Sequence, residues 1–335
     1  MPPIPTTNLS ADDRAKQRVL RDLPFMDIYV CLDGNSPAHY REEVKNGIAS
    51  EIDVDVPPEY QEDIEELASF LRESFKGNEK GLTFGGMRLR ASKLETAGGE
   101  TWAAMRRIPE LPPKLGKLGF IPQLVPLLQT FGKRGGLILI CGATGQGKTT
   151  TSSSLLLDYL ETNGGVAFTI EDPVEYNLEG RRGTGGYCYQ SEIKDDSEWS
   201  IMLKRALRWH PRYIMVGEVR TPDAANQLLR AATSGHTVLT TMHAGSMEEG
   251  LEGLLQLAEQ AVGARAPLLL AAGLTAVVHQ TFTAGGLYAS FVVTEPNNPG
   301  SPIRALIRDK RIGQSRTFSD QQMAMLMQSG RIFKN

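Results

Sequence analysis

Residues 136–150 read GLILICGATGQGKTT and decide the fold of this 335-residue chain. The apolar run 137–141 predicts a buried strand, and the stretch that starts at Lys148 predicts a helix. The loop between them fits G-x-x-x-x-G-K-[ST], in which glycines allow successive backbone N–H groups to face one anion. The amino end of the following helix adds a partial positive charge. Strand, loop and helix together therefore predict a binding site for the phosphates of a nucleoside triphosphate.

The loop also supplies the side chains that such a site needs. Lys148 can reach the β- and γ-phosphates, and the hydroxyl of Thr149 can ligate Mg²⁺. We expect the whole loop to bind the nucleotide: Gly142, Ala143, Thr144, Gly145, Gln146, Gly147, Lys148, Thr149 and Thr150. The alternative is a chance glycine turn before a helix, which the preceding apolar strand disfavours.

Composition is that of an ordinary globular protein, with 41% hydrophobic and 22% charged residues. The net charge of −3 gives no overall attraction to nucleic acid or anionic lipid. The three cysteines form no C-x-x-C pair, which argues against a disulfide framework or a zinc ribbon. The longest stretch of low polarity, 266–278, falls short of the ~20 residues of a membrane span, and the start of the chain lacks an apolar core like that of a signal peptide. We therefore expect a cytoplasmic protein.

Residues 1–108 read as a small α+β domain. The first 20 residues combine a proline-rich start with a charged, helix-like piece, and are expected to be peripheral. Periodicity then predicts a helix and three strands: helix 57–76 and strands 25–32, 81–92 and 101–108. Three prolines, Pro109, Pro112 and Pro113, interrupt regular structure after this domain, so we expect 109–118 to be an interdomain linker.

Residues 119–335 alternate strands with helices. The predicted strands are 137–141, 166–170, 213–217 and 237–243, and the predicted helices are 148–161, 199–209 and one capped by Thr221. Such alternation is typical of a mostly parallel sheet covered on both faces, an α/β fold. Ligands bind beyond the carboxyl ends of strands in these sheets. We expect Trp199, Trp209 and the methionines of 323–327 to be core residues.

Acidic and histidine side chains follow three of these strands directly. Glu171 and Asp172 follow 166–170, Glu218 follows 213–217, and His243 ends 237–243. An acid after a hydrophobic strand can hold a carboxylate near Mg²⁺, so Glu218 is expected to reach the metal through a water or its long side chain. Glu171 is a candidate to orient or deprotonate the attacking water, and His243 could hydrogen-bond the γ-phosphate. The alternatives are a helix N-cap for each acid and a structural role for the histidine.

Four blocks of sequence, in this order, resemble the type II/IV secretion and pilus ATPase superfamily: GATGQGKTTT, TIEDPVEY, ALRWHPRYIMVGEVRTPDAANQLLRAATSGHTVLTTMHAGS and PIRALIRD. The likeness runs from about Arg88 to the end and is greatest to PilT-like retraction ATPases and DotB-like type IV secretion or conjugation ATPases. It implies a RecA-like P-loop NTPase core, a smaller PAS-like N-terminal domain and a hexameric ring.

The resemblance assigns family roles to the positions already singled out: Walker A to Lys148 and Thr149, the Asp box to Glu171, an atypical Walker B to Glu218 and the His box to His243. In this family, arginines of the N-terminal domain complete the nucleotide site between subunits. The segments RLRAS and MRRI match that region, which makes Arg90 and Arg106 the candidates. The alternative is that both arginines only solvate an exposed strand face.

The function implied by the resemblance is a motor that hydrolyses ATP with Mg²⁺. Its partners would be its own copies in a hexamer and an inner-membrane platform or secretion-channel protein, with peripheral membrane contact and no direct contact with nucleic acid. TTMHAGS is more typical of type IV secretion members and PIRALIRD of pilus retraction, so the machine stays open. The alternatives are a RecA-like nucleic-acid translocase, which lacks support from a basic stretch interleaved with aromatic residues, a small-molecule P-loop kinase and a nucleotide-sensing scaffold.

Overall fold

The computed structural model describes residues 19–45, 48–75, 77 and 79–333. The chain divides into two compact units, with the boundary between Glu110 and Leu111. Residues 1–18, which include most of the predicted peripheral piece, lie outside the described residues. Within the described residues, no helix combines the length and the apolar character that crossing a bilayer requires.

In its described residues, the first unit is an antiparallel sheet with one α-helix. Its strands follow the order β3-β2-β1-β6-β5-β4. The elements are β1 (Phe25–Cys31), β2 (His39–Lys45), β3 (Ile48–Asp55), α1 (Gln61–Ser74), β4 (Glu79–Phe84), β5 (Met87–Glu95) and β6 (Thr101–Arg107). The predicted apolar stripe buries Ile64, Leu67 and Leu71 of α1 in the core of this unit. The predicted helix is therefore confirmed.

The single strand predicted for 81–92 is wrong. The chain turns back at Gly85 and Gly86, and Phe84 pairs with Met87 in an antiparallel hairpin. Both glycines have positive φ, of 52° and 76°. A two-residue hairpin turn with positive φ at both positions follows the right-handed twist of the strands, and glycine adopts it without strain. The alternation of side chains continues on both sides of the turn, which is why the pattern reads as one strand.

The second unit has an eight-stranded sheet in the order β14-β13-β7-β12-β11-β8-β10-β9. The six strands from β13 to β10 are parallel, and the two edge strands are antiparallel to their neighbours. The strands are β7 (Gly136–Gly142), β8 (Gly165–Glu171), β9 (Gly180–Arg182), β10 (Gly186–Glu192), β11 (Tyr213–Glu218), β12 (Thr237–His243), β13 (Leu274–Thr283) and β14 (Gly286–Val293). All four strands predicted in this half are confirmed.

Helices cover both faces of this sheet. They are α2 (Leu124–Thr130), α3 (Lys148–Asn163), α4 (Glu198–Leu207), α5 (Pro222–Thr233), α6 (Met247–Val262), α7 (Ala266–Gly273), α8 (Pro302–Arg308) and α9 (Ser315–Ser329). Leu137, Leu139 and Cys141 of β7 pack into one hydrophobic cluster, and Ile138 and Ile140 pack into another. Because side chains alternate along a strand, the core lies on both sides of β7.

Several helix ends follow from local chemistry. The hydroxyl of Thr221 accepts a hydrogen bond from the backbone N–H of Ala224 at 3.3 Å, which confirms the predicted cap of α5. The PIRALIRD segment forms α8, and the guanidinium of Arg304 donates to the carbonyls of Ala271 and Ala272. These carbonyls belong to the last turn of α7, so Arg304 satisfies acceptors that the helix itself leaves unpaired.

Of the residues expected in the core, Trp199 is 1% exposed and packs inside the second unit. The expectation is wrong for Trp209 and Met327, which are 57% and 53% exposed. Trp209 makes edge contacts with the rings of Phe168 and Tyr189 at the surface instead. Trp209 lies four residues before β11 begins, and the local sequence does not indicate on which face its ring lies.

Candidate nucleotide-binding site

The glycine-rich loop lies between the end of β7 at Gly142 and the start of α3 at Lys148. Gly145 and Gly147 have φ values of 76° and 71°, in the left-handed region. A Cβ on Gly147 would make only ordinary van der Waals contact with the ring of Phe282, at 3.4 Å. The backbone conformation is therefore what favours glycine at this position.

A strand far along the chain braces the loop. Gln280 donates its side-chain amide to the backbone oxygen of Gln146, and the side-chain oxygen of Gln146 accepts from Thr281 and from the backbone of Phe282. These three bracing residues lie at the end of β13, next to β7 in the sheet. Sequence reasoning missed this brace because more than a hundred residues separate its two sides.

A cavity of 410 Å³ opens at the carboxyl ends of the parallel strands. The structure brings most of the predicted site residues to it: Thr144, Gly145, Gly147, Lys148, Thr149, Thr150, Glu171, Glu218 and His243. Gly142, Ala143 and Gln146 are not among the residues that line it. Gly142 instead approaches the carbonyl of Gln280, where an added Cβ would lie 2.6 Å away. Their contribution is to the shape of the loop.

The ammonium group of Lys148 points back into the loop. Nζ donates to the backbone oxygen of Ala143 at 2.8 Å and lies 3.3 Å from Nδ1 of His243. Burial lowers the pKa of Lys148, and the negative charge of Glu218 partly opposes this effect. A buried cation held by a single carbonyl and a ring nitrogen is poorly solvated, so a phosphate oxygen can replace these contacts favourably.

His243 connects the loop to the acid after β11. Nδ1 of its ring lies 3.3 Å from the hydroxyl of Thr144, and Nε2 lies 3.7 Å from a carboxylate oxygen of Glu218. Since Nδ1 also contacts Lys148, one imidazole touches three groups that line the same cavity. The strand-end position of His243 that the sequence predicts is confirmed.

Arg220 is a member of this site that sequence reasoning missed. Its guanidinium donates to Oε2 of Glu218 at 3.1 Å and lies 3.4 Å from Oδ2 of Asp172. It thereby joins the acids that follow two adjacent strands, β11 and β8. A cation between two carboxylates occupies the kind of position that a divalent metal ion takes.

Glu171 is the most buried carboxylate of the site, at 1% exposure. Oε1 accepts from the hydroxyl of Thr169 at 2.7 Å and from the side-chain amide of Gln190 at 2.9 Å. Burial raises the pKa of Glu171 to about 7, although these two hydrogen bonds and a third from the backbone of Glu175 act to lower it. Near neutral pH this carboxyl exists in both protonation states, as a general base requires.

Arg90 and Arg106 lie in the first unit, on neighbouring strands β5 and β6, and pair across them. Both line a 340 Å³ cavity together with Arg41 and Asp27. Arg106 donates twice to Asp27, with distances of 2.7 and 3.0 Å, and Asp27 is 6% exposed. The structure thus brings the two arginines together, and their participation in a nucleotide site stays a prediction.

Comparison with known proteins shows the family to which this chain belongs. The family model for the type II/IV secretion system protein matches residues 81–285, more than half of the chain. The chain belongs to this family. The range includes the glycine-rich loop, both acids and His243. The resemblance inferred from the four sequence blocks is confirmed.

Curated relatives are similar over part of their length. The type IV pilus retraction ATPase PilT of Pseudomonas aeruginosa is 34% identical over 187 residues, 53% of this chain and 52% of that protein. The type II secretion system protein HxcR of the same organism is 32% identical over 168 residues, 50% of this chain and 33% of that protein. The chain therefore spans about a third to a half of the length of these two relatives.

Solved structures resemble the chain over most of its length. The pilus retraction motor PilT with bound ADP is 26% identical, with a TM-score of 0.66 over 93% of this chain and 88% of that one. The ATPase DotB of Legionella pneumophila is 20% identical, with a TM-score of 0.64 over 94% and 90% of the two chains, and shows the fold alone. The predicted α/β class is confirmed: a RecA-like P-loop core with a smaller PAS-like α+β domain at the amino end.

Proposed function

We propose that this protein is a Mg²⁺-dependent ATP hydrolase that acts as the motor of a type IV pilus or of a type IV secretion or conjugative machine. One observation carries the proposal. The glycine-rich loop with its lysine and threonine, two strand-end glutamates and a strand-end histidine all surround one cavity of 410 Å³. The names of the relatives, which are pilus and secretion ATPases, support the same reading.

ATP fits the residues at this cavity. The loop offers its backbone N–H groups and the start of α3 to the phosphates, and Lys148 is the first residue of that helix. Thr149 and Glu218 also line the cavity and offer a hydroxyl and a carboxylate. The described residues contain no cluster of three or more His, Cys, Asp or Glu side chains arranged for a metal. Two oxygen ligands still suit Mg²⁺, because it keeps several waters and takes substrate phosphates as ligands. When bound, Mg²⁺ would neutralise charge on those phosphates.

Glu171 is the proposed general base. Its carboxylate would orient a water for in-line attack on the γ-phosphate and accept the proton of that water. The pKa of about 7, raised by burial, means that the carboxylate form increases through neutral pH. Hydrolysis should therefore increase with pH in the same range.

His243 is the proposed sensor of the γ-phosphate. Its ring contacts Lys148, Thr144 and Glu218. A γ-phosphate at Lys148 would compete for the lysine and offer oxygens to the imidazole. The ring could then relay the presence of triphosphate to the acid after β11.

The ring and the movement of its domains are further parts of the proposal. We infer six subunits, with Arg90 and Arg106 completing the nucleotide site of a neighbour; this rests on the resemblance. Within the predicted linker 109–118, the residues before Pro113 would absorb the motion. The hydroxyl of Ser154 in α3 donates to the carbonyl of Pro113, and Leu115 is buried in the second unit. These contacts support a flexible part that ends before Pro113.

The ring would work in the cytoplasm, in peripheral contact with the inner membrane, on a platform or secretion-channel protein. This placement follows from the machines named for the relatives, and it involves no direct binding of nucleic acid. Stimulation of hydrolysis by DNA would contradict it and favour a nucleic-acid translocase.

Purified protein and two variants test the hydrolase. We expect Mg²⁺-dependent ATP hydrolysis that Lys148→Ala abolishes, because it removes the cation that contacts the phosphates. Glu171→Gln should bind a fluorescent ATP analogue normally and lose turnover by at least ~100-fold, the range typical of a general base. Hydrolysis that persists in both variants would overturn the proposal. Light scattering in the presence of ATP tests the ring, and a stable monomer would contradict it.

A further inference from the structure

Gln190 lies beside the proposed base on the adjacent strand. In the parallel pairing of β10 with β8, Gln190 is opposite Thr169, and Glu171 follows two residues later on β8. Side chains two residues apart on a strand lie on the same face, and so do directly paired residues. The sheet register therefore brings all three side chains to one face, next to the nucleotide cavity.

The side-chain amide of Gln190 has partners for both its nitrogen and its oxygen. Nε2 donates to Oε1 of Glu171 at 2.9 Å and to the backbone oxygen of Tyr176 at 3.0 Å. Its oxygen accepts from the backbone N–H of Leu178. An amide with this set of partners has one orientation, because a flip would place an N–H against the N–H of Leu178. Gln190 thus connects Glu171 to the segment 176–178.

Both side-chain donors reach the same oxygen of the carboxylate. Thr169 and Gln190 donate to Oε1 of Glu171 and neither of them to Oε2. Two donors fill the acceptor sites of Oε1 and hold the carboxyl plane in a single orientation, so that even with the additional hydrogen bond from the backbone of Glu175 a proton is accepted at Oε2. We propose that Gln190 is a positioning residue for ATP hydrolysis, which orients Glu171 so that Oε2 receives the proton of the attacking water. This inference rests on the proposed role of Glu171 as the base.

The charge state of residue 190 matters as much as its shape. Burial raises the pKa of Glu171, and the hydrogen bonds from Thr169 and Gln190 oppose that rise. A carboxylate at position 190 would instead repel the base across about the same distance. The neutral amide is therefore suited to keep Glu171 ionised at the pH at which it must work.

The test compares pH profiles of kcat. Gln190→Met removes the amide at similar side-chain length, Thr169→Val removes the second donor, and Gln256→Met, at an exposed position of α6, is the matched control. Loss of one hydrogen bond to the carboxylate of Glu171 should shift the ascending limb of the pH profile of kcat to higher pH by about one unit. For Gln190→Met we expect roughly fivefold lower kcat at pH 7, recovery toward wild type at pH 9 and an unchanged KM for ATP. The control should follow the wild-type profile.

A purely structural role for Gln190 predicts a different result. If the residue only holds the 176–178 segment, kcat should fall equally at every pH or KM should rise, and either outcome overturns the inference. Thr169→Val provides a second variant if Gln190→Met does not fold, because it should shift the limb in the same direction.

Infrared titration of nucleotide-free protein separates this inference from the proposed function. The protonated-carboxyl band of Glu171 is identified by its loss in Glu171→Gln. We expect this band to persist to higher pH in Gln190→Met than in wild type or in Gln256→Met. An unchanged titration overturns the inference even if Glu171 is the base. A shifted titration together with full turnover by Glu171→Gln would overturn the role of Glu171 and leave its control by Gln190 intact.

Discussion

Replacing Glu171 by glutamine should stabilise the protein, and more so at high pH. The buried carboxyl keeps its proton to about pH 7, whereas its ordinary pKa is 4.5. The unfolded chain therefore loses this proton at lower pH than the folded one. The cost to stability is small below pH 4.5, grows as the pH rises and is complete above pH 7. Glutamine has no proton to lose, keeps an oxygen for Thr169 and Gln190, and escapes the cost.

The size of the effect follows from the difference of about 2.5 pH units between the two pKa values. At ~1.4 kcal/mol per unit, the full cost is about 3 kcal/mol. Linkage gives about 1 kcal/mol at pH 5 and about 3 kcal/mol at pH 8. Glu171→Gln should therefore gain about 2–3 kcal/mol more over wild type at pH 8 than at pH 5.

Urea unfolding of nucleotide-free protein at both pH values measures this difference. Trp199 and Trp209 report on the second unit, and a Trp102→Phe background removes the signal of the first. The control is Glu252→Gln, which changes an exposed carboxylate of α6. It should show the pH dependence of wild type. The same pH dependence for Glu171→Gln would refute the reasoning, since it would mean that the folded protein does not hold the proton of this carboxyl.

Three further predictions concern charged groups of the two cavities. Lys148→Ala should abolish the rise in melting temperature that ADP causes. It should not lower the melting temperature of the free protein, because the buried ammonium is poorly solvated. A lower melting temperature of the variant without nucleotide would argue against this. Arg220→Ala removes a cation from two carboxylates. If this cation competes with Mg²⁺, the variant should need up to about fivefold less Mg²⁺ for half-maximal binding of ADP. An unchanged Mg²⁺ requirement, measured by calorimetry, would contradict this competition. Arg106→Ala breaks a bidentate pair with a buried acid and should cost about 1–3 kcal/mol of unfolding free energy, whereas Arg90→Ala, its cross-strand neighbour, should change stability by less than ~0.5 kcal/mol. If both arginines complete a neighbour's site, both variants should lower ATP hydrolysis of the assembled protein.

The residues at the strand ends show how much of the site a local sequence pattern can predict. Glu171, Glu218 and His243 each lie at the carboxyl end of a strand that apolar composition identifies, and parallel strands end at the same edge of a sheet. Their meeting at one cavity with Lys148 could therefore be predicted without knowledge of the strand order. The distances between them could not, because they depend on which strands are neighbours.

The predictions were wrong where the same local sequence pattern is compatible with two different tertiary arrangements. The stretch 81–92 alternates like one strand, but the glycine pair folds it into a hairpin. Trp209 is a large apolar residue and still lies at the surface, where it is 57% exposed and makes edge contacts with the rings of Phe168 and Tyr189. The rings that contact Trp209 belong to residues outside the helix window 199–209. The hairpin is instead decided by two glycines inside 81–92, whose turn the alternation of side chains does not show.

The linear order of residues by itself predicted a glycine-rich loop suited to phosphates between a strand and a helix, because the three are contiguous and their conformation depends on local sterics. It also indicated which acids lie near that loop, because the carboxyl ends of parallel strands all lie at the same edge of the sheet. Only the tertiary structure decided that Gln190 and Thr169 hold the buried carboxyl, that Arg220 joins two acids and that β13 braces the loop. These contacts depend on strand register and order, which arise from the packing of the whole sheet.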